Sequence, residues 1–337
     1  GANSLLNCFA GETEILTSDG VRPIWSLVNQ KPEVMTEYGK WVEAEVKAFG
    51  EQRLYQIDLS KGKAKKTIYA TKEHRWFRQP YRSGEERVSS MCVEVTTETL
   101  VAGDKLVSTY GQSVRGIDGP SLYGIAHGLV YGDGSVCCNV GQIRLCGDKN
   151  AELIKYFPGL KTYDYEGDAI VSGLPKYFKA APTLDMDKPY LYGWLAGYFA
   201  ADGSIKEEGQ VRLASANRMN LELARDVCVK LGIGYSSITS QDRVGIGQTE
   251  ESTLDTLGIN GLDLTEDFFL ISEHRRRFVA HQYVAKLDWK VVSVVPTDRV
   301  ETVYCAVVPE THSFVLEGNI LTGNCWMVSV NELRAFE

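Results

Sequence analysis

The chain has 337 residues, 44% of them hydrophobic and 24% charged, and a formal net charge of −8 at pH 7. This is the composition of a soluble globular protein. No run reaches the roughly 18 consecutive apolar residues that a membrane helix needs, and the first residues lack the charged-to-apolar order of a secretory signal. The sequence therefore favours a cytoplasmic protein over a membrane or exported one, and its length predicts two domains.

The eight cysteines show no C-x-x-C pairs with histidine partners at zinc-site spacing. They are Cys8, Cys92, Cys137, Cys138, Cys146, Cys228, Cys305 and Cys325. We expect these cysteines to be free thiols rather than disulfides. Any cysteine that acts as a nucleophile would also require a reducing compartment, because a disulfide cannot attack.

Alternating apolar and polar residues mark both ends of the chain. The patterns lie at Glu14–Thr17, 41–46, 54–59, 67–70, 289–295 and 302–308. Together with turns such as Asp19-Gly20, they predict half-buried antiparallel strands. We expect residues 8–112 and 285–324 to form one β domain, interrupted by an insertion in a surface loop.

The middle of the chain, 113–284, contains an internal repeat. Residues 123–135 align without gaps with 192–204, and 141–145 with 209–213. In each copy a helical segment precedes two strand-like segments and a further helix signal with a capping residue before it. The repeat predicts two copies of helix, strand, strand, helix.

Both repeat helices are rich in glycine, which costs roughly 1 kcal/mol per residue relative to alanine. Close packing of the two helices along their Gly and Ala faces would compensate. It would also bring Asp133 and Asp202, at the helix ends, side by side. Such carboxylates repel each other unless a divalent cation lies between them.

Both motifs resemble the LAGLIDADG homing endonucleases, the second closely as Leu195-Ala-Gly-Tyr-Phe-Ala-Ala-Asp-Gly203. The resemblance implies that Asp133 and Asp202 bind Mg²⁺ for phosphodiester hydrolysis. It also implies that four strands form a saddle on the major groove of double-stranded DNA. Basic residues on or near the repeat are the candidate DNA contacts: Arg144, Arg212, Lys149, Lys206 and Arg218.

Three features leave the cleavage activity open. Residues 111–280 carry 17 Lys and Arg against 22 Asp and Glu, whereas DNA-binding domains usually present a basic face. His127 occupies a position of the first motif that is usually apolar. Residues 173–178 resemble a third endonuclease block but lack the Lys that often precedes its Pro.

Two Asn-Cys dipeptides, Asn7-Cys8 and Asn324-Cys325, lie near the ends of the chain. The side-chain amide of Asn324 can attack its own backbone carbonyl, which closes a five-membered imide and breaks the chain before Cys325. Between the two dipeptides lie, in order, Thr71-x-x-His74, the two acidic helix motifs, 303–308 and the segment from His312. This ordered set resembles an intein, a self-excising protein element.

The resemblance implies splicing without a cofactor. Cys8 attacks the carbonyl of Asn7, Cys325 takes over the acyl group, and cyclisation of Asn324 releases residues 8–324, after which the new ester rearranges to a peptide.

Supporting roles are implied for three further residues. His74 would protonate the departing amide nitrogen, and Thr71 would help to hold the carbonyl. His312 would assist the cyclisation at the second junction.

Two departures from the usual intein pattern affect the mechanism. Gly323 stands where inteins usually have a His that polarises the Asn carbonyl. Cys305 stands where most have Asp, and with Trp76 and Thr322 it resembles a minority class in which the internal Cys makes the first attack. A route that starts at Cys305 therefore stays open beside the route that starts at Cys8.

The implied fold is mixed: an all-β Hint-type (horseshoe) splicing domain assembled from both chain ends, with an inserted α+β LAGLIDADG domain of two pseudo-symmetric αββα repeats. The expected divisions are an upstream flank 1–7, splicing domain 8–112 and 285–324, endonuclease 113–284, and a downstream flank 325–337. Joined, the flanks give Asn7-Cys325-Trp326, similar to the redox-cysteine segment of cobalamin-dependent ribonucleotide reductases. We expect a monomer.

Three other function classes were weighed. A stand-alone LAGLIDADG endonuclease, a non-catalytic DNA-binding protein and a β-rich interaction domain with a helical insertion each leave both Asn-Cys junctions unexplained.

Overall fold

The computed structural model describes residues 7–80, 92–111, 119–147, 149–244, 251–280 and 288–324. The chain divides into two compact units, Gly1–Gly111 with Lys286–Glu337, and Gln112–Ala285. The first unit thus combines both ends of the chain, and the second is inserted between them. Within the described ranges, no helix has both the length and the apolar character to cross a membrane.

The first part of unit 1 consists of strands and short 3₁₀ turns. The strands are β1 (Phe9–Ala10), β2 (Glu14–Thr17), β3 (Gly20–Pro23), β4 (Glu33–Met35), β5 (Trp41–Glu43), β6 (Glu45–Lys61), β7 (Ala64–Thr71), β8 (Arg75–Arg78) and β9 (Val93–Thr96). The patterns at 54–59 and 67–70 lie in the long hairpin of β6 and β7, where Ile57 pairs with Ile68.

Unit 2 alternates helices and hairpins. Its elements are α1 (Leu122–Asp133), β10 (Gly134–Cys137), β11 (Val140–Leu145), α2 (Lys149–Leu153), β12 (Lys161–Tyr165), β13 (Asp168–Leu174), α3 (Lys188–Asp202), β14 (Gly203–Ile205), β15 (Val211–Ser215), α4 (Arg218–Leu231), β16 (Thr239–Val244), β17 (Glu251–Ile259) and α5 (Ser272–Ala280). The predicted αββα order is confirmed in both copies.

Each copy of the repeat also contains a second hairpin that the sequence did not predict. The two sheets have the strand orders β10-β11-β13-β12 and β14-β15-β17-β16, so the prediction of four strands was wrong and the described residues form eight. Strand β12 could not be predicted from hydrophobic periodicity, because all five of its residues are exposed and it has no alternating apolar pattern.

Helices α1 and α3 pack backbone to backbone along their glycines. A Cβ atom added at Gly128 would lie 2.0 Å from the carbonyl oxygen of Trp194, and one added at Gly197 would lie 2.2 Å from that of Ile125. No side chain fits such distances, so the predicted Gly-face packing is confirmed. The close approach offsets the low helix propensity of glycine.

The remaining strands return to unit 1: β18 (Lys290–Val307), β19 (Ser313–Leu316) and β20 (Ile320–Gly323). Strand β18 is continuous where the sequence suggested two separate strands. Its pairing with β6 shifts register between Pro296 and Val300. Proline cannot donate a ladder hydrogen bond, which accounts for the interruption in the pattern.

Unit 1 combines a closed barrel, β1-β18-β6-β7, with a sheet in the order β5-β4-β2-β19-β20-β8-β9, in which β3 pairs with β2. Its described residues contain no α-helix, in agreement with the predicted all-β domain. The core includes Phe9, Trp76, Trp289 and Phe314, all at most 1% exposed. Strand β1, which follows Cys8, lies in the barrel, and strand β20, which precedes Asn324, lies in the sheet. The shared core therefore packs the segments next to both predicted junctions into one domain.

Candidate functional site

The two predicted junctions meet in the structure. The side-chain Nδ2 of Asn7 donates a hydrogen bond of 2.8 Å to the backbone carbonyl oxygen of Asn324. Asn7 is 2% exposed and Asn324 is fully buried. Residues that lie 317 positions apart in sequence therefore share one buried contact.

Thr71 binds Cys8 through two hydrogen bonds. The backbone N–H of Cys8, which is the nitrogen of the Asn7–Cys8 peptide bond, donates to Thr71 Oγ1 at 3.1 Å. The backbone N–H of Thr71 donates to the carbonyl oxygen of Cys8 at 2.9 Å. This contact follows from strand pairing, because Phe9 of β1 lies opposite Ala70 of β7.

His74 is completely buried and packs against aromatic rings. Its ring centroid lies 4.0 Å from that of Phe9 and 5.0 Å from that of Trp76. Burial, opposed by a hydrogen bond with the backbone of Asn7 and reinforced by the charge of Arg75, lowers the pKa of His74 to about 3. The imidazole is therefore neutral near pH 7.

The hydrogen bonds of Thr322 indicate which nitrogen of His74 carries the proton. Thr322 Oγ1 lies 2.5 Å from His74 Nε2 and donates its single proton to the carbonyl oxygen of Arg75 at 3.1 Å. This orientation of the hydroxyl has Nε2 as the donor and Nδ1 as the basic nitrogen.

Asn324 is held by its backbone and its side chain. Its N–H donates to the carbonyl oxygen of His312 at 2.9 Å, and its side-chain Nδ2 donates to the carbonyl oxygen of Val308 at 2.8 Å. Its Oδ1 is buried without a hydrogen bond to the described residues. The side-chain amide that would act as nucleophile is thus held by Val308, and the backbone of the same residue is held by His312.

His312 contacts Asn324 through its main chain. It has a positive φ of 50°, a conformation that is uncommon outside glycine, and its side chain is half-buried. The resemblance assigned a role to the imidazole, whereas the hydrogen bond to Asn324 comes from the carbonyl. Cys325, the predicted acyl acceptor, lies outside the described residues.

Arg75 is a residue at the second junction that the sequence analysis missed. Its guanidinium forms a bidentate pair with Glu94, with Nε to Oε1 at 2.8 Å. A Cβ atom at Gly323 would lie 2.8 Å from Cβ of Arg75 and 3.4 Å from its Cζ. The Nη1 atom is buried and makes no hydrogen bond to the described residues. The sequence signal that could have identified Arg75 is its charge at the position directly after His74.

Cys305 lies on the strand next to Cys8. Strand β1 pairs with β18 so that Phe9 lies opposite Tyr304 and Ala10 opposite Val303. One further step in this register places Cys8 opposite Cys305, and both thiols are fully buried. The other two members of the predicted set, Trp76 and Thr322, are cross-strand partners.

In unit 2, Asp133 and Asp202 are the last residues of the packed helices α1 and α3, and both are exposed. A Cβ atom at Gly132 would lie 3.5 Å from Oδ2 of Asp202, so this carboxylate reaches the end of α1. No group of three or more His, Cys, Asp or Glu side chains suited to a metal occurs in the described part of the chain. Two carboxylates still fit Mg²⁺, which usually keeps several waters and binds substrate phosphates.

Lys179 lies at the same helix end and was also missed. Its Nζ donates to the carbonyl oxygens of Tyr131 at 2.7 Å and Gly132 at 3.0 Å. Burial lowers its pKa, and the carboxylates of Asp202 and Asp133 oppose that shift. This ammonium therefore caps α1 beside the acidic pair.

Most candidate DNA contacts have intramolecular partners. Arg144 Nε donates to Asp168 at 2.8 Å, and its guanidinium lies over the Tyr165 ring. The other partners are Gln210 for Arg212, and Glu222 and Asp255 for Arg218. Lys206 is exposed, and the side chain of Lys149 lies outside the described set.

His127, the unusual residue of the first motif, is a core residue with both nitrogens bonded. Nδ1 lies 2.8 Å from the Tyr190 hydroxyl and Nε2 lies 2.9 Å from the Ala180 carbonyl oxygen. The ring stacks on Phe178 with centroids 4.9 Å apart. Its position between α1 and α3 explains how the motif accommodates a polar side chain.

Unit 1 is thus a β domain that brings Asn7 and Asn324 together. Unit 2 is a repeated helix–sheet domain whose two packed helices each end in an Asp. A family model described as a LAGLIDADG-like domain matches residues 189–268. The family match covers the second repeat of unit 2 and shows a LAGLIDADG-like domain there. The split β domain and the contact between Asn7 and Asn324 agree with the resemblance to an intein.

The sequence is similar to that of a viral reductase subunit. The chain is 28% identical over 352 residues to the ribonucleoside-diphosphate reductase large subunit of Invertebrate iridescent virus 6. The match covers 94% of this chain and 36% of that protein. The chain therefore spans about a third of the length of this relative.

Two solved structures show low overall similarity. An Ssp DnaB mini-intein variant has a TM-score of 0.32 at 10% identity and covers 96% of each chain. I-DmoI in complex with DNA and Mn has a TM-score of 0.27 at 14% identity, over 48% of this chain and 97% of that one. The fold of this chain is defined by its own strand topology, not by these scores.

Proposed function

We propose that the chain excises residues 8–324 and joins the flanking segments by a peptide bond. The observation that carries this proposal is the buried hydrogen bond between Asn7 and Asn324, since ligation requires the two junctions to be adjacent. The first junction has the Thr71 hydroxyl and the His74 imidazole beside it. At the second junction, hydrogen bonds to His312 and Val308 hold Asn324 in place.

In the first step the Cys8 thiol transfers its proton to His74 Nδ1 and its sulfur attacks the carbonyl carbon of Asn7. The C–N bond breaks, and the departing amine of Cys8 takes the proton from His74. His74 is neutral near pH 7 and can therefore accept a proton. Its low pKa makes it a weak base, and it makes the imidazolium a correspondingly strong acid toward the departing amine.

The later steps move the acyl group and release the element. The thiol of Cys325 displaces Cys8 from the thioester and forms a branched chain. Nδ2 of Asn324 then attacks its own carbonyl carbon, and the bond to residue 325 breaks as its nitrogen gains a proton. The freed amine of Cys325 finally attacks the thioester, which gives a peptide bond.

A first attack by Cys305 is the alternative route, and the strand register favours it as a second candidate. We would place the chain between two reporter domains in reducing buffer and measure ligation for the parent, Cys8→Ala and Cys305→Ala. Loss only in Cys8→Ala supports the Cys8 route. Loss only in Cys305→Ala assigns the first attack to Cys305.

We propose further that unit 2 cleaves double-stranded DNA with Mg²⁺ held by Asp133 and Asp202. When bound, the metal would supply Lewis-acid chemistry at the scissile phosphate. A plasmid with the codons of the joined flanks is the probe, since insertion of the element disrupts that sequence. Asp133→Asn and Asp202→Asn should each abolish Mg²⁺-dependent cleavage, whereas Asp164→Asn on β12 should cleave like the parent. Cleavage that persists in both helix-end variants would reject this site.

We infer that the host is a ribonucleotide reductase. A match over 94% of the chain cannot come from the flanks alone, so the viral reductase sequence aligns with the element itself. A cobalamin-dependent host, a monomeric element, a cytoplasmic location and division at 112/113 and 284/285 belong to the same proposal. Fusion of the chain within such a reductase, followed by intact mass after expression, tests the host assignment.

A further inference from the structure

We propose that Asn7, the last residue before the first junction, is a catalytic residue for cleavage at the second. Its side-chain amide donates to the carbonyl oxygen of Asn324, which is the oxygen that gains negative charge when Asn324 cyclises. This inference rests on the proposed splicing function and adds a residue from the flank to its machinery.

The geometry is that of an oxyanion-stabilising donor. The distance from Nδ2 to the carbonyl oxygen is 2.8 Å before the reaction, and the negative charge develops on this same oxygen. Both residues are buried, and a hydrogen bond to a developing charge is stronger where water is excluded. The donor is already in place, so little reorganisation is needed as the charge forms.

The contacts of Asn324 leave this role to Asn7. The N–H of Asn324 is used by His312 and its Nδ2 by Val308, both through carbonyl oxygens. Gly323 has no side chain that could reach the oxygen. Asn7 supplies the side-chain hydrogen bond that the structure describes at the Asn324 carbonyl oxygen.

The cyclisation itself balances without a proton from Asn7. A bond forms between Nδ2 and the carbonyl carbon of Asn324, and the bond from that carbon to the nitrogen of residue 325 breaks. One proton leaves Nδ2 and one arrives on the departing amine. Asn7 donates a hydrogen bond throughout and is unchanged.

The donor also stays close during splicing. After acyl transfer, Asn7 is linked through its carbonyl carbon to the sulfur of Cys325, the residue next to Asn324. Cleavage at the second junction should therefore depend on which residue the host protein places before Cys8.

The test isolates the second junction in a Cys8→Ala/Cys305→Ala chain between two reporters. We expect Asn7→Ala and Asn7→Asp to slow release of the downstream reporter by roughly 10²-fold, the effect of losing one oxyanion donor. The Asp variant adds a distinctive readout, because only its protonated form can donate. Its rate relative to Asn7→Ala should rise as pH falls toward the ordinary Asp pKa of about 3.9.

A matched control checks that the variants fold. In an Asn324→Ala chain, which cannot cyclise, both position-7 variants should keep one cooperative urea unfolding transition. Release from Asn7→Ala as fast as from the parent would overturn the inference, and so would an Asp variant with no recovery at low pH. A parent chain that reacts at neither junction would instead reject the proposed function, and the inference with it.

Discussion

Gly323 packs directly against Arg75, so that a Cβ atom at position 323 would lie 2.8 Å from Cβ of Arg75. This distance is below any normal carbon–carbon contact, and Cβ cannot swing away as the end of a side chain can. A side chain before Asn324 would collide with the arginine that follows His74, which occupies this space.

Replacing Gly323 with a histidine should therefore lower the free energy of unfolding. We predict that Gly323→His, and also Gly323→Ala, destabilise an Asn324→Ala chain by about 1–3 kcal/mol through overpacking. Urea unfolding measures the change. In an Arg75→Gly background the penalty should shrink, whereas an equal penalty with and without the Arg75 side chain would show that this contact is not the cause.

The buried, neutral His74 predicts a specific pH dependence of stability. Its pKa is about 3 in the folded chain and about 6.5 when unfolded, so the unfolded state binds more protons between these values. The contribution of His74 is fully present above pH 6.5 and is lost as pH falls through this window, at up to about 1.4 kcal/mol per pH unit.

Urea unfolding from pH 7 to pH 4 should show this loss as a difference between two chains. His74→Gln in the Asn324→Ala background retains every carboxylate of the parent, so the carboxylate contribution cancels. We expect a shallower slope for the variant. Parallel slopes would mean that His74 protonates without cost in the folded state.

The hydroxyl of Thr322 should matter more than its methyl group. Thr322→Val leaves Nε2–H of His74 buried without an acceptor, at a cost of about 1–3 kcal/mol, and removes the bond that selects Nδ1 as the base. We predict slower thiol-induced cleavage before Cys8 in this variant. Thr322→Ser keeps the hydroxyl and should react like the parent; equal loss in both variants would point to packing instead.

The pair between Arg144 and Asp168 should limit DNA binding by unit 2. Asp168→Asn removes the carboxylate that holds the guanidinium, so we predict tighter binding at low salt and a slope of log affinity against log salt that is steeper by about 0.9. Fluorescence anisotropy with duplex DNA measures this slope. Glu208→Gln, which changes the charge equally at an exposed site on the second repeat, should leave the slope nearly unaltered.

Local patterns in the sequence identified much of this fold. The two glycine-rich helices and their hairpins follow from the repeat, and β2 was predicted to the residue. Hairpins β12–β13 and β16–β17 were missed because they lie outside the aligned repeat, and β12 has no buried face. Strand β18 is continuous because it pairs with β6 along its length. The local sequence of β18 carries no information about this partner.

Predictions for the site depended on resemblance for Thr71 and His74, and the structure places both next to Asn7 and Cys8. The hydrogen bond from Asn7 to Asn324 and the contact of Arg75 with Gly323 could not be predicted. Each joins segments that are distant in sequence through the register of β1, β8 and β20, and register is set by tertiary packing.

Intact mass spectrometry of the chain between two reporter domains, after incubation in reducing buffer, shows directly whether the chain splices. We expect two products: the joined reporters, and a released element of 317 residues, Cys8 to Asn324, that ends in a cyclic imide and is one water lighter than the hydrolysed form. Asn324→Ala should give neither product. A parent chain that stays intact, or that is cut at one junction without joining the reporters, would contradict the proposed splicing.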